Sequence, residues 1–364
     1  MFKKTFKNFN WLLFSAALIL SLIGILLIYS STHGTIFSHQ ANLAFKQMLW
    51  LVVGFTALAA AYRSDYHVLI SLAYPFYLIT SLLLILVLLF GQTSWGAQRW
   101  LQIGGFALQP SEFCKISLIL VLAYQLERQK GNLFRINSLA LPTMALLLPM
   151  LLIFKQPDLG TAAVLFPIYL GMLYLAGVRS RHLVWIITSV LLLLPIFWFF
   201  LKDYQQARLL VFLKPNSDPL GTGYSIIQSK IAIGSGGLLG QGWLAGTQTH
   251  LHFLPEHHTD FIFSVLGEEW GFLGTSLILG LYAVLIVQGL KICFNARDSL
   301  GSLLAGGIVV FFITQIFINV GVTVGIMPAT GIPLPFLSYG GSSLLASLFC
   351  IGILLNIQSK AFLF

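Results

Sequence analysis

Three long runs of this chain contain no Asp, Glu, Lys or Arg, and they constrain its fold more than any other feature. They extend over Asn8–Phe45, Tyr66–Gln98 and Ser299–Ser359. Each run exceeds the ~20 apolar residues that a helix needs to cross a bilayer. Of the 364 residues, 57% are hydrophobic and 9% are charged, whereas soluble domains are about 45–50% apolar and roughly 25% charged. The sequence predicts a polytopic helical membrane protein and excludes a soluble enzyme, a secreted protein or a nucleic-acid-binding domain.

Apolar windows bounded by charged residues, Gly and Pro predict an all-α fold with ten transmembrane helices, in one integral membrane domain over residues 1–364. The predicted spans are Trp11–Ser31, Phe45–Tyr62, Val68–Phe90, Ser111–Leu126, Ser138–Phe154, Leu159–Ala176, Leu183–Leu201, Phe261–Leu290, Leu300–Ile326 and Leu337–Ile357. If the amino terminus is cytoplasmic, the inner segments hold twelve Lys and Arg residues and the short outer loops hold three. The positive-inside rule therefore predicts that both termini are cytoplasmic.

A cleaved signal peptide is the alternative for the first span, because Lys3, Lys4 and Lys7 precede its apolar run. That run, at ~20 residues, is longer than a typical signal core and lacks a small-residue cleavage site. We therefore expect a retained transmembrane helix.

The segment between the seventh and eighth spans departs from this apolar pattern. Residues 202–269 hold ten charged residues in 68 positions, against 21 in the other 296. Most of the segment, residues 202–260, is predicted to be a large extracytoplasmic loop, and long loops are often functional. Its glycine-rich run, Gly234–Gly237, could cradle phosphate with main-chain N–H groups, although a flexible or re-entrant turn is the more common role of such a run.

Ionisable groups stand where even-numbered helices begin, and intramembrane charge is a functional hypothesis by default. Glu112 and Lys115 open the fourth span, Asp158 the sixth and Asp260 the eighth. Glu112 and Lys115 could instead form a neutralising pair, and Asp158 could be a helix cap. In the predicted topology all four residues lie near the outer leaflet, together with the Gly- and Pro-rich segment 327–343. Their common depth favours a functional site there.

The chemistry of such a site is constrained by its position outside the cytoplasm. No nucleotide-binding fingerprint is present, so we expect no nucleotide cofactor and a substrate that carries its own activated bond. A lipid-linked sugar diphosphate fits, because its leaving group needs a cation and its attacking hydroxyl needs only one carboxylate base. The basic residues that could neutralise phosphate, which the sequence does not rank, are Arg99, Lys115, Arg208 and Lys230.

Long motifs in this chain closely resemble those of the SEDS family (shape, elongation, division and sporulation), in order and over nearly the whole length. They are Gly96–Trp100, Gln109–Glu112, Gln156–Thr161, Asp203–Phe263 and Pro333–Gly341. The loop is most similar to the rod-elongation branch. The resemblance implies a peptidoglycan glycosyltransferase that polymerises lipid II at the outer face of the bacterial cytoplasmic (inner) membrane, for cell-wall elongation and rod shape. It also implies a class B penicillin-binding protein as partner within the elongation machinery.

The resemblance assigns residue roles by motif. Asp260 matches the family's catalytic aspartate, Trp100 a functionally sensitive loop residue, and Glu112, Lys115 and Asp158 polar residues of its cavity. Further candidates for substrate binding or support are Arg99, Arg208, Lys230, Glu256, Thr259 and Ser338. We hypothesise that Glu112 and Asp158 hold a divalent cation, Mg²⁺ or Mn²⁺, or order the site.

Asp260 would take the proton from the C4 hydroxyl of lipid II as that oxygen attacks C1 of the nascent glycan strand, held on undecaprenyl diphosphate. The donor linkage is α and the product is β-1,4, so one inverting displacement is expected. Two rival functions stay open: a transporter that flips lipid II, which commonly shows repeated halves, and a non-catalytic scaffold for a crosslinking transpeptidase.

Overall fold

A computed structural model describes residues 9–33, 42–94, 97–103, 106–130, 136–213, 223–251 and 253–361. In chain order, the helices and strands of these residues are α1 Trp11–Thr32, α2 Leu43–Arg63, α3 Tyr66–Ser71, α4 Ala73–Phe90, β1 Gln92–Ser94, β2 Ala97–Ile103, β3 Phe106–Leu108, α5 Pro110–Arg128, α6 Ala140–Lys155, α7 Leu159–Leu175, α8 Ser180–Trp198, α9 Asp203–Leu213, α10 Tyr224–Ser235, α11 Thr247–His250, α12 Ile262–Phe294, α13 Ser299–Val324 and α14 Gly341–Ala361. A single 3₁₀ turn, Ile136–Leu139, precedes α6.

The polytopic helical fold is confirmed. Within the described ranges, eight helices are long and apolar enough to span a membrane, namely α1, α2, α4, α6 together with most of its preceding 3₁₀ turn (Asn137–Lys155), α8, α12, α13 and α14. The predicted sixth span, α7, is apolar but has 17 residues. The predicted fourth, α5, has 19 residues and carries Glu112, Lys115, Glu127 and Arg128. The ten-span topology and the cytoplasmic termini stay predictions.

Most predicted spans differ from the observed helices by a few residues at their ends, and the third and tenth differ in ways that matter for the fold. The third is split at Leu72 into α3 and α4. The tenth begins at Gly341 rather than Leu337, and the segment before it contains Pro333 and Pro335 and continues through Phe336 at a non-helical φ of 68°. Proline lacks a main-chain donor and disfavours helical geometry in the residue before it. This segment therefore stays non-helical and forms a wall of the cavity described below.

A small antiparallel sheet joins α4 to α5, and the all-α prediction did not include it. Strand β2 pairs with β1 through Gln92↔Trp100 and with β3 through Leu101↔Leu108. The Gln98 side chain donates to the carbonyl of Gly91 over 2.7 Å, which ties the sheet to the end of α4. The sheet carries Arg99 and Trp100, so it fixes two candidate site residues.

The long loop is structured where it is described, since α9, α10 and α11 lie within residues 202–260 and only 214–222 and 252 fall outside the described residues. Its glycine-rich run, Gly234–Gly237, covers the end of α10 and the start of the turn that follows, and this turn pairs with a break in α12. Gly271 interrupts α12 with a φ of 64°, and Phe272 N donates to Gly237 O over 2.9 Å. The carbonyl groups of Gly237 and Leu238 thus accept hydrogen bonds from α12 within the protein.

Helix α14 forms the centre of the bundle, because 15 of its 21 residues are buried. In contrast, none of the residues of α8 is buried among the described residues. Helix α14 packs against α2, α5 and α13. The amino terminus of α14 is consequently held by several neighbours, and it opens into the same cavity as the loop before α12.

Candidate active site

A cavity of about 620 Å³ lies where β2, α9, the loop before α12 and the start of α14 meet. Six of the predicted site residues line it: Arg99, Trp100, Arg208, Glu256, Thr259 and Asp260. Residues that sequence reasoning did not select complete the wall: Gln109, Ser225, Pro255, Phe261, Ala329, Gly331, Pro333, Tyr339, Gly340 and Ser343. The cavity therefore combines acidic, basic and aromatic side chains with exposed main chain.

Asp260 stands two residues before α12, and its main chain is fixed from both sides. Its N–H donates to the carbonyl of Glu256 over 3.1 Å, and its carbonyl accepts from Asn319 Nδ2 over 3.0 Å. Ser338 Oγ donates to the neighbouring Thr259 carbonyl over 2.6 Å. Glu256 itself adopts a φ of 49°, a conformation that is uncommon for a residue other than glycine and is enriched at functional sites. These contacts hold the loop while the Asp260 carboxylate faces the cavity.

Burial raises the pKa of Asp260 to about 6, and the negative charge of Glu256 acts in the same direction. The guanidinium groups of Arg99 and Arg208 oppose this rise without cancelling it. Such a carboxyl group is largely ionised at neutral pH yet more basic than an exposed aspartate. A base with its pKa closer to the working pH is a better proton acceptor.

Gly331 separates the base from one of the cations. A Cβ atom placed on Gly331 would lie 3.1 Å from Arg99 Nη1 and 3.5 Å from Asp260 Oδ2, and its φ is 69°. Both the conformation and the space therefore favour glycine. Its lack of a side chain keeps the room between the carboxylate and the guanidinium open.

Asp158 lies behind Arg99 and does not line the cavity. Its Oδ1 accepts from Thr161 N over 3.1 Å and its Oδ2 from Thr161 Oγ1 over 2.8 Å, so the helix-cap interpretation is confirmed. Arg99 Nε lies 3.4 Å from the same Oδ2. Asp158 is 1% exposed, and we infer that it orients Arg99.

Glu112 and Lys115 form a closed pair. Lys115 Nζ donates to Glu112 Oε1 over 2.7 Å, and each side chain is 1% exposed. The ammonium group also lies 5.3 Å from the Phe311 ring centroid. These two residues are therefore a buried neutralising pair outside the wall of the cavity, and Lys115 is not placed to meet a phosphate there.

The other two predicted residues also lie outside the wall. Lys230 is exposed and its side chain packs over Gly325, where an added Cβ would lie 2.5 Å from Nζ. Ser338 is 3% exposed and acts through the main chain, since its Oγ also accepts from Leu334 N over 2.8 Å. Ser338 thus supports the loop that carries Asp260 rather than the substrate.

The divalent cation predicted at Glu112 and Asp158 stays a prediction, and Glu112 Oε2 is buried without a hydrogen-bond partner among the described residues. Lys115 occupies one oxygen of Glu112, and Thr161 occupies both oxygens of Asp158. Across the described ranges, no group of three or more His, Cys, Asp and Glu residues is arranged to hold a metal ion. We therefore assign no step of the chemistry to a cation at these two residues.

Two amides that sequence reasoning missed hold the site together. Asn319 Nδ2 donates to the carbonyls of both Asp260 and Ile332. Gln47 Nε2 donates to the carbonyl of Ser338, and its Oε1 accepts from Gly340 N, each over 3.2 Å. The signal that could have identified them is a polar amide inside a largely apolar span, which needs a buried partner.

Comparison with known proteins gives consistent matches over most of the chain. A protein-family model described as a cell cycle protein, and named for FtsW, RodA and SpoVE, matches residues 10–362. The chain is 45% identical over 284 residues to the peptidoglycan glycosyltransferase MrdB of Escherichia coli K12, which covers 78% of this chain and 76% of that protein.

Two solved structures share the fold over nearly their full length. One comes from a peptidoglycan synthase complex that coordinates polymerization and crosslinking, with a TM-score of 0.83, 34% identity, and 98% of this chain and 99% of that chain covered. The other is the rod shape determining protein RodA of Thermus thermophilus, with a TM-score of 0.73, 28% identity, and 97% and 98% covered. The chain therefore belongs to the SEDS family, which includes FtsW, RodA and SpoVE.

Proposed function

We propose that this protein is a peptidoglycan glycosyltransferase that polymerises lipid II for cell-wall elongation. It transfers the growing glycan from its undecaprenyl diphosphate carrier to the C4 hydroxyl of lipid II and forms a β-1,4 link with inversion. The observation that carries this proposal is one cavity that holds a carboxylate with a raised pKa beside two guanidinium groups. The similarity to a peptidoglycan glycosyltransferase supports it.

Asp260 acts as the general base. Its carboxylate accepts the proton of the C4 hydroxyl while that oxygen forms a bond to C1 of the donor sugar. The C1–O bond to the diphosphate breaks at the same time, and its electron pair leaves with the diphosphate. General-base assistance typically contributes ~10²–10⁴-fold in rate, so positioning and charge neutralisation supply the remaining acceleration.

Arg99 and Arg208 neutralise the charge that develops on the leaving diphosphate. Both guanidinium groups act on the charge of Asp260 and line the same cavity. Arginine pairs with phosphate through two parallel hydrogen bonds, which also orients the leaving group. A cationic partner at the departing oxygen makes a separate protonating acid unnecessary.

The cavity opens at the extracytoplasmic side of the inner membrane in this proposal, where lipid-linked precursors are joined. The excess of Lys and Arg in the opposite loops supports this orientation. We further propose a class B penicillin-binding protein as the partner that crosslinks the product. The structural similarity to a complex that coordinates polymerization and crosslinking supports this partner.

Incubation of the detergent-solubilised protein and its transpeptidase partner with fluorescent lipid II tests the proposal, because a micelle has no two compartments. We expect glycan polymer from the wild type and from Asp203→Asn, an exposed acid outside the cavity wall, and none from Asp260→Asn. A lipid II transporter would give no polymer in micelles. A scaffold would give no polymer that depends on Asp260, and either result would overturn the proposal.

A further inference from the structure

The amino terminus of α14 opens into the cavity that contains Asp260. Gly340 and Ser343 line the wall, and Leu344 N is bonded to the carbonyl of Gly340 over 2.9 Å. The N–H groups of residues 341–343 have no partner within the helix, as at every helix start, whereas Gly340 N donates to Gln47 Oε1 over 3.2 Å. In this 21-residue helix the first turn contains no acidic residue. Its positive end is therefore not neutralised by its own side chains.

Ser343 adds a second, independent indication of a ligand at this position. The residue is 5% exposed, and its hydroxyl has no hydrogen-bond partner among the residues that the structure describes. The adjacent Ser342 differs, because its hydroxyl accepts from Gln109 N over 3.0 Å. A buried hydroxyl without a partner destabilises a protein. A ligand oxygen at the cavity wall would satisfy it.

Gly340 leaves the approach to this helix end open. Among the described residues, a Cβ atom on Gly340 would meet only Ser343 Cβ, at an ordinary contact distance of 3.7 Å. The main chain here can therefore be approached closely from the cavity, as in sites where backbone N–H groups bind phosphate. A methyl group at this position would narrow that approach without a clash inside the protein.

We propose that the first turn of α14, through the N–H groups of residues 341–343 and the Ser343 hydroxyl, binds the diphosphate of the acceptor lipid II. This inference rests on the proposed function, in which each reaction brings two lipid-linked diphosphates to one cavity. Only the donor diphosphate leaves and gains charge, so it requires the cations Arg99 and Arg208 beside the base. The acceptor diphosphate keeps its charge throughout, and neutral N–H and O–H donors suffice to bind it. Separate sites also keep the two anions from sharing one pair of arginines.

Separate sites for the donor and acceptor diphosphates predict different kinetic effects of substitutions at each site. An interaction that is equal in the ground state and the transition state changes KM and leaves kcat unchanged. Loss of a hydrogen bond to a charged group weakens binding by about tenfold or more. We therefore expect Ser343→Ala to raise the KM for lipid II about tenfold at a nearly unchanged kcat. Gly340→Ala should raise it further, because its methyl group blocks the N–H groups.

Ser347→Ala is the matched control. Ser347 lies one helical turn further along α14, is 0% exposed and also lacks a hydroxyl partner among the described residues. It does not belong to the cavity wall. Its replacement removes the same atom from the same helix, so KM should stay at the wild-type value. Thermal unfolding in detergent checks that all three variants are folded.

Direct binding separates this inference from the proposed function. The affinity for lipid II is measured in the Asp260→Asn background, where turnover does not consume the ligand. We expect Ser343→Ala and Gly340→Ala to weaken binding about tenfold or more, and Ser347→Ala to leave it unchanged. Equal affinity in all of them would overturn the α14 site alone, since the hydroxyl would then bind only water. Normal polymerisation by Asp260→Asn would instead overturn the proposed mechanism.

Discussion

Two carboxylates near helix starts, Glu112 and Asp260, satisfy the same sequence criterion and have different environments in the structure. Glu112 is 1% exposed and accepts from Lys115 Nζ over 2.7 Å. Asp260 opens into a cavity of about 620 Å³ and faces two arginines that leave room for a substrate. An acid at the start of a span therefore shows only that a buried charge has to be stabilised. The reactive acid is the one that faces a cavity instead of forming a closed ion pair.

The comparison predicts that the closed pair matters most for stability. Lys115→Met leaves the Glu112 carboxylate buried without its cation, and the removal of one partner of a buried pair typically destabilises by about 3–5 kcal/mol. We expect this variant to unfold at a clearly lower temperature in detergent, as followed by intrinsic tryptophan fluorescence.

The double variant Glu112→Gln/Lys115→Met is the control for that prediction. It removes both charges, so it should recover most of the lost stability. If the single and double variants unfold at the same temperature, the pair is not the closed, mutually neutralising unit described here.

Substitutions in the cavity around Asp260 should instead lower the turnover rate. Arg208→Met removes a cation beside the leaving diphosphate, and loss of one group that stabilises transition-state charge typically lowers kcat by about 10²–10³-fold. Arg99→Met should show a similar loss together with reduced stability, because the buried Asp158 then loses its guanidinium partner. A wild-type kcat in Arg208→Met would contradict the role assigned to this residue.

A substitution of Gly331, which lies between the Asp260 carboxylate and the Arg99 guanidinium, should have a smaller effect. Gly331→Ala would place Cβ 3.1 Å from Arg99 Nη1 at a φ of 69°, a conformation that destabilises a residue with a side chain by about 1–2 kcal/mol. A displacement of the guanidinium should lower kcat/KM by about tenfold. Gly234→Ala is the control, since an added Cβ there meets no atom of the described part of the chain within 4 Å. Equal rates in the two variants would refute the importance of this gap.

The smallest effect concerns the charge next to the base. Glu256 raises the pKa of Asp260, and Arg208 lowers it. Glu256→Gln should therefore shift the acidic limb of the kcat/KM profile towards lower pH, and Arg208→Met should shift its residual activity towards higher pH. Shifts in the same direction would contradict the opposing charges described here.

The sequence predicted those features that depend on composition along the chain. Long uncharged runs predicted the helices, and the motif around Asp260 predicted the catalytic candidate. The sheet that positions Arg99 was missed because its strands have three to seven residues and lie between two strong helical signals. The sequence could not show that Lys115 and Lys230 lie outside the cavity while Arg99 and Arg208 line it. The position of each cationic group depends on which helices pack around it. Asn319 and Gln47 were missed since each acts on main-chain atoms distant in sequence.

The pH dependence of glycosidic bond formation in a single turnover tests the role of Asp260 most directly. Because burial raises the pKa of Asp260 to about 6, the protonated, inactive form should dominate below that pH. The wild-type rate should rise with pH through about 6 and then level off. Asp260→Asn should be slower by at least ~10²-fold and lack this rise. A rate profile in Asp260→Asn that keeps the same acidic limb would show that another group is the base.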